Sequence, residues 1–459
     1  MRQFPQNFLF GASSSAYQIE GAIDADGKGR SIWDDFVLRK GAVRGGDRAD
    51  VACDHYKRWE TDLDLMAEIG LRAYRFSVSW PRVLPEGRGR VNRAGLDFYS
   101  RLVDGLLERG IKPVPTLFHW DLPANLQREG GGFTRRSIVP IFADYAAVVA
   151  RALGDRVKTW ITVNEPFEFA CFGHLFGTHA PGIKNPLAYL PAIHHVLLAH
   201  GAAVDVLRAE VSGAAVGPAL SWTPVHPATP TERDRAAARR AEAFMNGITF
   251  DPILKGAYPD IVENAFPLRP PARGGDLELI SRPVDFVGVN YYSRERARAN
   301  LLVPLIGADV SGKEPRELPE TDDRTAMGWE VYHEGMTEIL AALRDRYGNP
   351  PVYITEFGSA WNDSVEETPD GSRVRDECRV VYMKNQMDRM LEALEGGCDL
   401  RGCFVWSFTD NFEWAEGFSK RFGLVHVDFD SLERTVKESG RAYARLIKTR
   451  NIDDIVRKP

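Results

Sequence analysis

The sequence predicts an α/β fold, a single (β/α)8 TIM barrel over residues 1–459 with extended βα loops, and three observations lead there. Eight short apolar, β-rich runs recur along the chain, segments with helical periodicity separate them, and no GxGxxG follows any run. Strands alternating with helices imply parallel β-α units, and eight units close a barrel more economically than they extend an open sheet. The missing glycine fingerprint weighs against a doubly wound dinucleotide-binding sheet.

In order, the runs are FLFGASS (8–14), LRAYRFSVSW (71–80), IKPVPTLFHW (111–120), VKTWITVNEP (157–166), GAAVGPAL (213–220), VDFVGVNYY (284–292), PPVYITEFG (350–358) and RGCFVWSF (401–408). Between them, RRSIVPIFADYAAVVARAL (135–153) repeats apolar residues at three- and four-residue spacing. GMTEILAALRDRYG (335–348) ends on a glycine, a common helix stop. The Pro/Gly-rich and charged stretches at 225–235, 269–275 and 307–325 are expected to be βα-loop insertions within one domain, because β-α alternation resumes after each.

With 44% hydrophobic and 27% charged residues, the 459-residue chain has the make-up of an ordinary globular protein with a large core. Lys+Arg 58 against Asp+Glu 64 gives a net charge of −6 without a basic tail or stripe, which argues against a nucleic-acid partner. The N-terminal MRQFPQNFLFGASSS carries one Arg and no sustained apolar segment, so it does not read as a signal peptide. No uninterrupted run reaches the length of a membrane-spanning helix, and no membrane partner is expected. The five cysteines (Cys53, Cys171, Cys378, Cys398, Cys403) are odd in number and lack CxxC spacing, which fits a reducing cytosol better than a disulfide framework or zinc ribbon.

Strand C-terminal ends build the active face of such a barrel, so the polar and aromatic residues closing each run are candidates as a group. They are Gln18 with Glu20, Arg75, His119 with Trp120, Asn164 with Glu165, Asn290 with Tyr292, Glu356, and Trp406. Each has an ordinary structural reading alone: Arg75 as an ion-pair partner, His119 as a satisfied core histidine, Trp120 and Trp406 as packing, Glu356 as a surface charge. Together they describe a cleft with two carboxylates, two indoles and several amide or imidazole donors. That equipment suits a sugar, because aromatic faces cover the apolar side of a pyranose while amides and carboxylates match its vicinal hydroxyls. Glycosidic cleavage needs one carboxyl group protonated near neutral pH and a second one ionised, and Glu165 and Glu356 are the obvious pair. His119, His174 and His179 lack HExxH or comparable spacing, so no metal site is expected, and no GxSxG supports a serine hydrolase.

At these residues the chain resembles glycoside hydrolase family one, the retaining β-glucosidase family. The segments that carry the resemblance are FLFGASSSAYQIEGA (8–22), GKGRSIWDDF (27–36), DVACDHYKRWETDLDLMAEIGLRAYRFSVSWPRVLP (50–85), TLFHWDLPANLQ (116–127), TVNEP (162–166), GHLFGTHAPG (173–182), DFVGVNYYS (285–293), YITEFG (353–358) and FVWSFTDNFEWAEGFSKRFGLVHVD (404–428). The resemblance implies that Glu165 is the general acid/base and Glu356 the nucleophile, with Arg75, Tyr292 and Asn290 supporting Glu356. It further implies that Gln18, His119, Asn164, Glu413 and Trp414 hold sugar hydroxyls, that Trp406 lies under the ring, and that Trp120 and Phe422 also bind substrate. Trp329, in MGWE, resembles the family's aglycone-side tryptophan. A cation and a phenol beside Glu356 supply donors to a carboxylate, whereas a desolvated setting for Glu165 favours the protonated form that a leaving oxygen requires.

The implied activity is retaining, exo-acting hydrolysis of terminal β-D-glucosyl residues, with β-galactosyl and β-fucosyl glycones also in range. The implied substrates are β-glucosides or short β-linked oligosaccharides. Retention needs the two carboxyl groups about 5 Å apart and a covalent glycosyl-enzyme intermediate, and no cofactor. Homo-oligomer formation is left open.

Three positions depart from the family pattern. Phe357 follows the nucleophile where Asn is usual, Phe408-Thr409 replaces a Leu-like pair, and Leu220-Ser221-Trp222 replaces an Asn-containing end of the fifth strand. The last, with Glu168, Cys171 and His179, is expected where the aglycone lies. Because successive strand residues alternate faces, Phe357 is expected to pack behind Glu356. Two alternatives are a 6-phospho-β-glycosidase and a catalytically weak sugar-binding barrel. Against the first, a carboxylate at Glu413 in DNFEWAEG (410–417) would bond a free O4 or O6 hydroxyl but repel a dianionic phosphate, and the phospho-specific relatives resemble a Ser-containing version. Against the second, both carboxylates are present.

Overall fold

Strong β formers in short runs produce eight parallel strands, each followed by a helix. The structure, a computed structural model, describes residues 2–264, 268–303, 305–310, 323–369 and 371–456. The barrel strands are β1 (Leu9–Ser13), β2 (Ala73–Ser77), β3 (Lys112–Phe118), β4 (Thr159–Asn164), β5 (Ala215–Ser221), β6 (Val287–Tyr291), β7 (Val352–Phe357) and β8 (Leu400–Trp406). They close in the order β1-β8-β7-β6-β5-β4-β3-β2. All eight predicted runs are therefore barrel strands. The predicted runs overreach at their ends where chemistry turns the chain: Pro81 and Pro166 sit in the first turns of short helices that begin at Trp80 and Pro166, the last residues of the second and fourth runs.

The principal helices are α1 (His55–Ile69), α2 (Arg93–Glu108), α3 (Ile138–Leu153), α4 (Pro186–Glu210), α5 (Glu232–Glu242), α6 (Glu334–Tyr347), α7 (Glu377–Glu395) and α8 (Glu438–Thr449). One follows each strand. As the sequence suggested, α6 stops at Gly348, whose φ of 74° no β-carbon opposes. By length and a mean hydropathy of 1.4, α4 meets the requirement for crossing a bilayer, although histidines interrupt its apolar residues. Of that apolar window 78% is buried inside the protein, where α4 packs against α3, so its hydrophobicity belongs to the core.

Ala73, Val114, Ile161, Ala219, Phe286 and Phe404 fill the floor of the barrel, a packed interior that leaves the opposite, C-terminal end open for a site. Of the three stretches expected as loop insertions, 225–235 and 307–310 contribute to a small sheet formed by Val225–Pro227, Glu295–Ala299 and Ala308–Val310, and 269–275 is a loop. Residues 311–322 of the third stretch lie outside the described residues.

β7 carries an irregularity that matters for the site. Ile354 pairs with Val289 and Glu356 pairs with Asn290, so two steps on β7 match one on β6 and Thr355 is the extra residue of a β-bulge. Its carbonyl accepts from Ser13 Oγ at 2.8 Å and from Arg75 Nη1 at 3.2 Å, hydrogen bonds from β1 and β2.

Candidate active site

A cavity of about 540 Å³ opens at the C-terminal ends of the strands. Of the residues singled out from the sequence, Glu165, Glu356, His119, Trp120, Asn290, Tyr292, Trp329, Trp406, Glu413, Trp414 and Phe422 form its wall. Arg75, Asn164 and Gln18 stand directly behind that wall and reach it through hydrogen bonds.

Glu356 accepts from Arg75 Nη1 at 2.5 Å through Oε1 and from the Tyr292 hydroxyl at 2.7 Å through Oε2. Each carboxylate oxygen therefore has a fixed donor. Burial, with the charges of Glu356 and Glu165, pushes the Tyr292 phenol well above its ordinary value, so it stays a donor.

Glu165 sits in a different environment. Its φ of 47° is left-handed, a strained conformation for a non-glycine residue, and it leads into Pro166 at the first turn of the helix Pro166–Ala170. Burial raises its carboxyl well above the usual range, and the charges of Glu168 and Glu356 push in the same direction. The Asn290 hydrogen bond and Arg75 oppose that rise without cancelling it. One carboxyl group braced by two donors and a second whose surroundings favour the protonated form is the division of labour that acid-assisted displacement needs.

Arg75 sets the polarity of the groups between them. A guanidinium only donates, so the Asn164 atom 2.6 Å from Nη2 is the carbonyl oxygen. Asn164 Nδ2 then donates to His119 Nε2 at 3.0 Å, which leaves the His119 proton on Nδ1. Burial first, then Arg75, lowers the imidazole well below 6.5, so it is neutral. Asn290, expected beside Arg75 and Tyr292 as a support of Glu356, instead donates through Nδ2 to Asn164 Oδ1 at 3.1 Å and to Glu165 Oε1 at 2.9 Å.

Gln18 serves the far side of the cavity. Its Oε1 accepts from Ser15 Oγ at 2.6 Å, while Nε2 donates to Asn411 Oδ1 at 3.0 Å and to the Phe412 carbonyl at 2.9 Å. Nε2 also lies 3.5 Å from Glu413 Oε2. With its amide so engaged, Gln18 braces Glu413. Burial, then the charges of Glu356 and Glu416, push the Glu413 carboxyl up to about 8.

The aromatic residues divide by role. Trp406 and Phe422 form an apolar cluster with Ala360, onto which Tyr292, Met327 and Trp329 pack. Trp414, with a left-handed φ of 50°, stacks parallel to Tyr17 and lies 4.6 Å and 4.7 Å from the Trp33 and Trp120 rings. The Trp120 indole N–H donates to the Asn164 carbonyl at 3.0 Å, so this residue presents a ring face and no free donor.

Several expectations need correction. Glu20, grouped with the sugar-binding candidates, is buried away from the cavity and accepts from Arg82 Nε at 2.8 Å and from the Tyr99 hydroxyl at 2.7 Å; it closes an internal ion pair. Cys171, expected on the aglycone side, is buried in the core and absent from the wall, although Glu168 and His179 are on it. At the end of β5, Ser221 reaches the cavity and donates to Glu168 Oε1 at 2.5 Å, while Trp222 turns away and packs on Phe250 at 4.6 Å. Phe357 is 1% exposed, lies in the main core and does not touch the cavity, as alternation predicts. Among the described residues no cluster of three His, Cys, Asp or Glu side chains is placed to hold a metal.

The outer wall was not foreseen. Phe172 and Phe176 come from and just beyond a π-helical turn (Cys171–Leu175), Met245 from a second such turn (Ala243–Gly247), and Glu295 from the small sheet. None closes a barrel strand, so the strand-end rule had no means of finding them.

Relatives bear on this geometry. The chain is 46% identical to beta-glucosidase A of Thermotoga maritima over 99% of its own length and 100% of that protein, and 44% identical to a beta-glucosidase of Agrobacterium sp. over 97% and 95%. It is 42% identical to a bifunctional beta-D-glucosidase/beta-D-fucosidase of Bifidobacterium breve over 97% and 98%. The structure superposes on the family 1 β-glucosidase of Thermotoga maritima with a TM-score of 0.91 at 44% identity, covering 98% of each chain. A structure of the Thermotoga maritima family 1 glycoside hydrolase with a cyclophellitol-analogue transition state mimic gives 0.92 at 44% identity, over 98% and 99%. The sequence profile of glycosyl hydrolase family 1 matches residues 1–452, and the chain belongs to that family.

Proposed function

We propose that the chain is a retaining, exo-acting β-glucosidase, with Glu356 as nucleophile and Glu165 as acid/base. The observation that carries this reading is the opposed treatment of the two carboxyl groups in one cavity. Glu356 is held by Arg75 and Tyr292, whereas burial keeps Glu165 protonated. Glu356 attacks C1 while Glu165 gives its proton to the glycosidic oxygen; the C1–O bond breaks and a glycosyl ester forms on Glu356. Glu165, now a carboxylate, takes a proton from water as the water oxygen attacks C1, and the ester bond to Glu356 breaks. Configuration is retained by two inversions, and Glu165 regains its proton.

Glu413, braced by Gln18 and raised to about 8, is a neutral acid at pH 7 that can donate to a sugar oxygen as well as accept from a hydroxyl. Carboxyl side chains of Glu168, Glu295, Glu413 and Glu416 line the cavity, and among the described residues no Lys or Arg does, so a phosphate dianion finds no cation on the wall. The glycone range includes β-glucoside and, by analogy with the bifunctional relative, β-fucoside. Turnover of p-nitrophenyl β-glucoside, β-galactoside, β-fucoside, β-mannoside and 6-phospho-β-glucoside, measured side by side, tests the reading. The β-glucoside is expected to be cleaved with release of β-glucose and the phosphorylated one to be refused. No turnover of any, or preference for the phosphorylated sugar, overturns it.

A further inference from the structure

Asn290 touches Glu165, and the orientation of its amide decides whether a donor or an acceptor faces that carboxyl group. Two contacts hold the orientation. From one side Arg75 fixes Asn164 Oδ1, which accepts from Asn290 Nδ2 at 3.1 Å. From the other, the Thr355 hydroxyl donates to Asn290 Oδ1 at 2.7 Å.

Thr355 is there because of the bulge. It is the extra residue on β7, 1% exposed, and its neighbour on β6 is Gly288, where a β-carbon would come within 2.7 Å of Thr355 Cγ2 and 2.9 Å of Oγ1. The glycine thus leaves the room that the threonine side chain occupies. The Thr355 carbonyl is bonded to Ser13 and Arg75, so the backbone cannot swing to release the hydroxyl.

We propose that Thr355 is a positioning residue for the acid/base: its hydroxyl holds the Asn290 amide so that Nδ2 points at Glu165. The inference rests on Glu165 acting as the acid/base. It links the strand that carries Glu356 to the proton on Glu165 through one side chain that touches no substrate. A donor aimed at Glu165 favours its ionised form, which opposes the rise caused by burial and keeps the proton transferable. The other groups acting on Glu165 are Glu168 on the helix that follows it, Arg75 from β2, Tyr292 from beyond β6, and Glu356 from β7. Thr355→Val changes none of them.

The test compares Thr355→Val, which keeps the branched shape, and Thr355→Ala, a second variant without the hydroxyl, with Thr355→Ser, which restores it. kcat/KM is measured against pH with p-nitrophenyl and 2,4-dinitrophenyl β-glucoside. In Val and Ala the alkaline limb is expected to move up by about half a pH unit or more, as ionised Glu165 loses a fixed donor. The loss is expected to be about tenfold or more for the nitrophenolate and smaller for the dinitrophenolate, with Ser within about twofold of wild type. A superimposable pH profile, an equal loss on both substrates, or a Ser variant no nearer wild type than Val would overturn the role of Thr355. A wild type that cleaves neither glycoside, or a Glu165→Ala variant without leaving-group asymmetry, would instead overturn the acid/base assignment itself.

Discussion

Arg75 Nη1 lies 2.5 Å from Glu356 Oε1, with both side chains at most 4% exposed, and the same guanidinium reaches Asn164 through Nη2. One buried cation therefore braces Glu356 and orients the amide chain that ends on Glu165. Glu356→Gln keeps an acceptor for Arg75 but removes its counter-charge. The variant is expected to fold with a lowered Tm and to lose nearly all turnover, because an amide at this position cannot form the glycosyl ester. A 2-deoxy-2-fluoro glucoside should label the wild type on the peptide containing Glu356. Mapping of the adduct to another peptide would remove Glu356 from the nucleophile's role.

Glu165→Ala is expected to produce an asymmetric defect. Poor leaving groups, which need the proton, should lose about 10²–10⁴-fold, whereas dinitrophenolate should lose far less and deglycosylation should become limiting. Azide fits the space left by the carboxylate and needs no base, so it should restore turnover and give a β-glycosyl azide. Uniform loss across leaving groups without azide rescue would take Glu165 out of the mechanism.

The eight strands were legible because β-branched and aromatic residues cluster in runs of strand length, and strand-end placement then found Glu165, Glu356, Arg75 and Asn290. Glu413 and Trp414 follow no barrel strand directly, so only the family resemblance identified them. Glu20 was misread because its partner, Arg82, is 62 residues away and nothing local announces a buried pair. The bulge at Thr355 depends on how β7 registers against β6, a tertiary property with no signature in VYITEFG. Phe172, Phe176 and Met245 owe their positions to π-helical turns, whose extra residue per turn leaves no clear periodicity.

The contribution of two buried carboxyl groups to folding stability is expected to fall as pH rises from about 4 to about 8, while buried histidines such as His119, lowered below 6.5, act in the opposite direction over the lower part of that range. Glu413 is raised from an ordinary 4.5, and buried Asp121 from 3.8, each to about 8. A carboxyl raised in the folded state gives its full contribution below the unfolded value and loses it as pH climbs through the folded one. Each such group weakens folding by up to about 1.4 kcal/mol per pH unit across that window. Glu413→Gln removes one of them, so its Tm relative to wild type should improve from pH 5 to pH 8. Tm curves that run parallel over that range would show Glu413 ionised throughout.

Phe357 stands where a polar Asn is usual in the family, directly after Glu356. It pairs with Tyr291 on β6 and Val405 on β8, is 1% exposed, and belongs to the core behind the wall. Glu356 keeps its donors from Arg75 and Tyr292 whatever occupies the next position, so the side chain at 357 acts on packing and not on the nucleophile. Phe357→Asn is therefore expected to change kcat/KM on β-glucoside by less than about tenfold, or about 1.4 kcal/mol. Removing a buried aromatic ring costs about 3–5 kcal/mol, and an amide buried without partners adds about 1–3 kcal/mol, so Tm and the denaturant midpoint should both fall clearly. Kinetics taken well below the variant's Tm separate the two effects. A hundredfold rise in kcat/KM with Tm unchanged would mean that Phe357 holds Glu356 in a compromised position, and that the aromatic residue restrains the nucleophile instead of supporting the core.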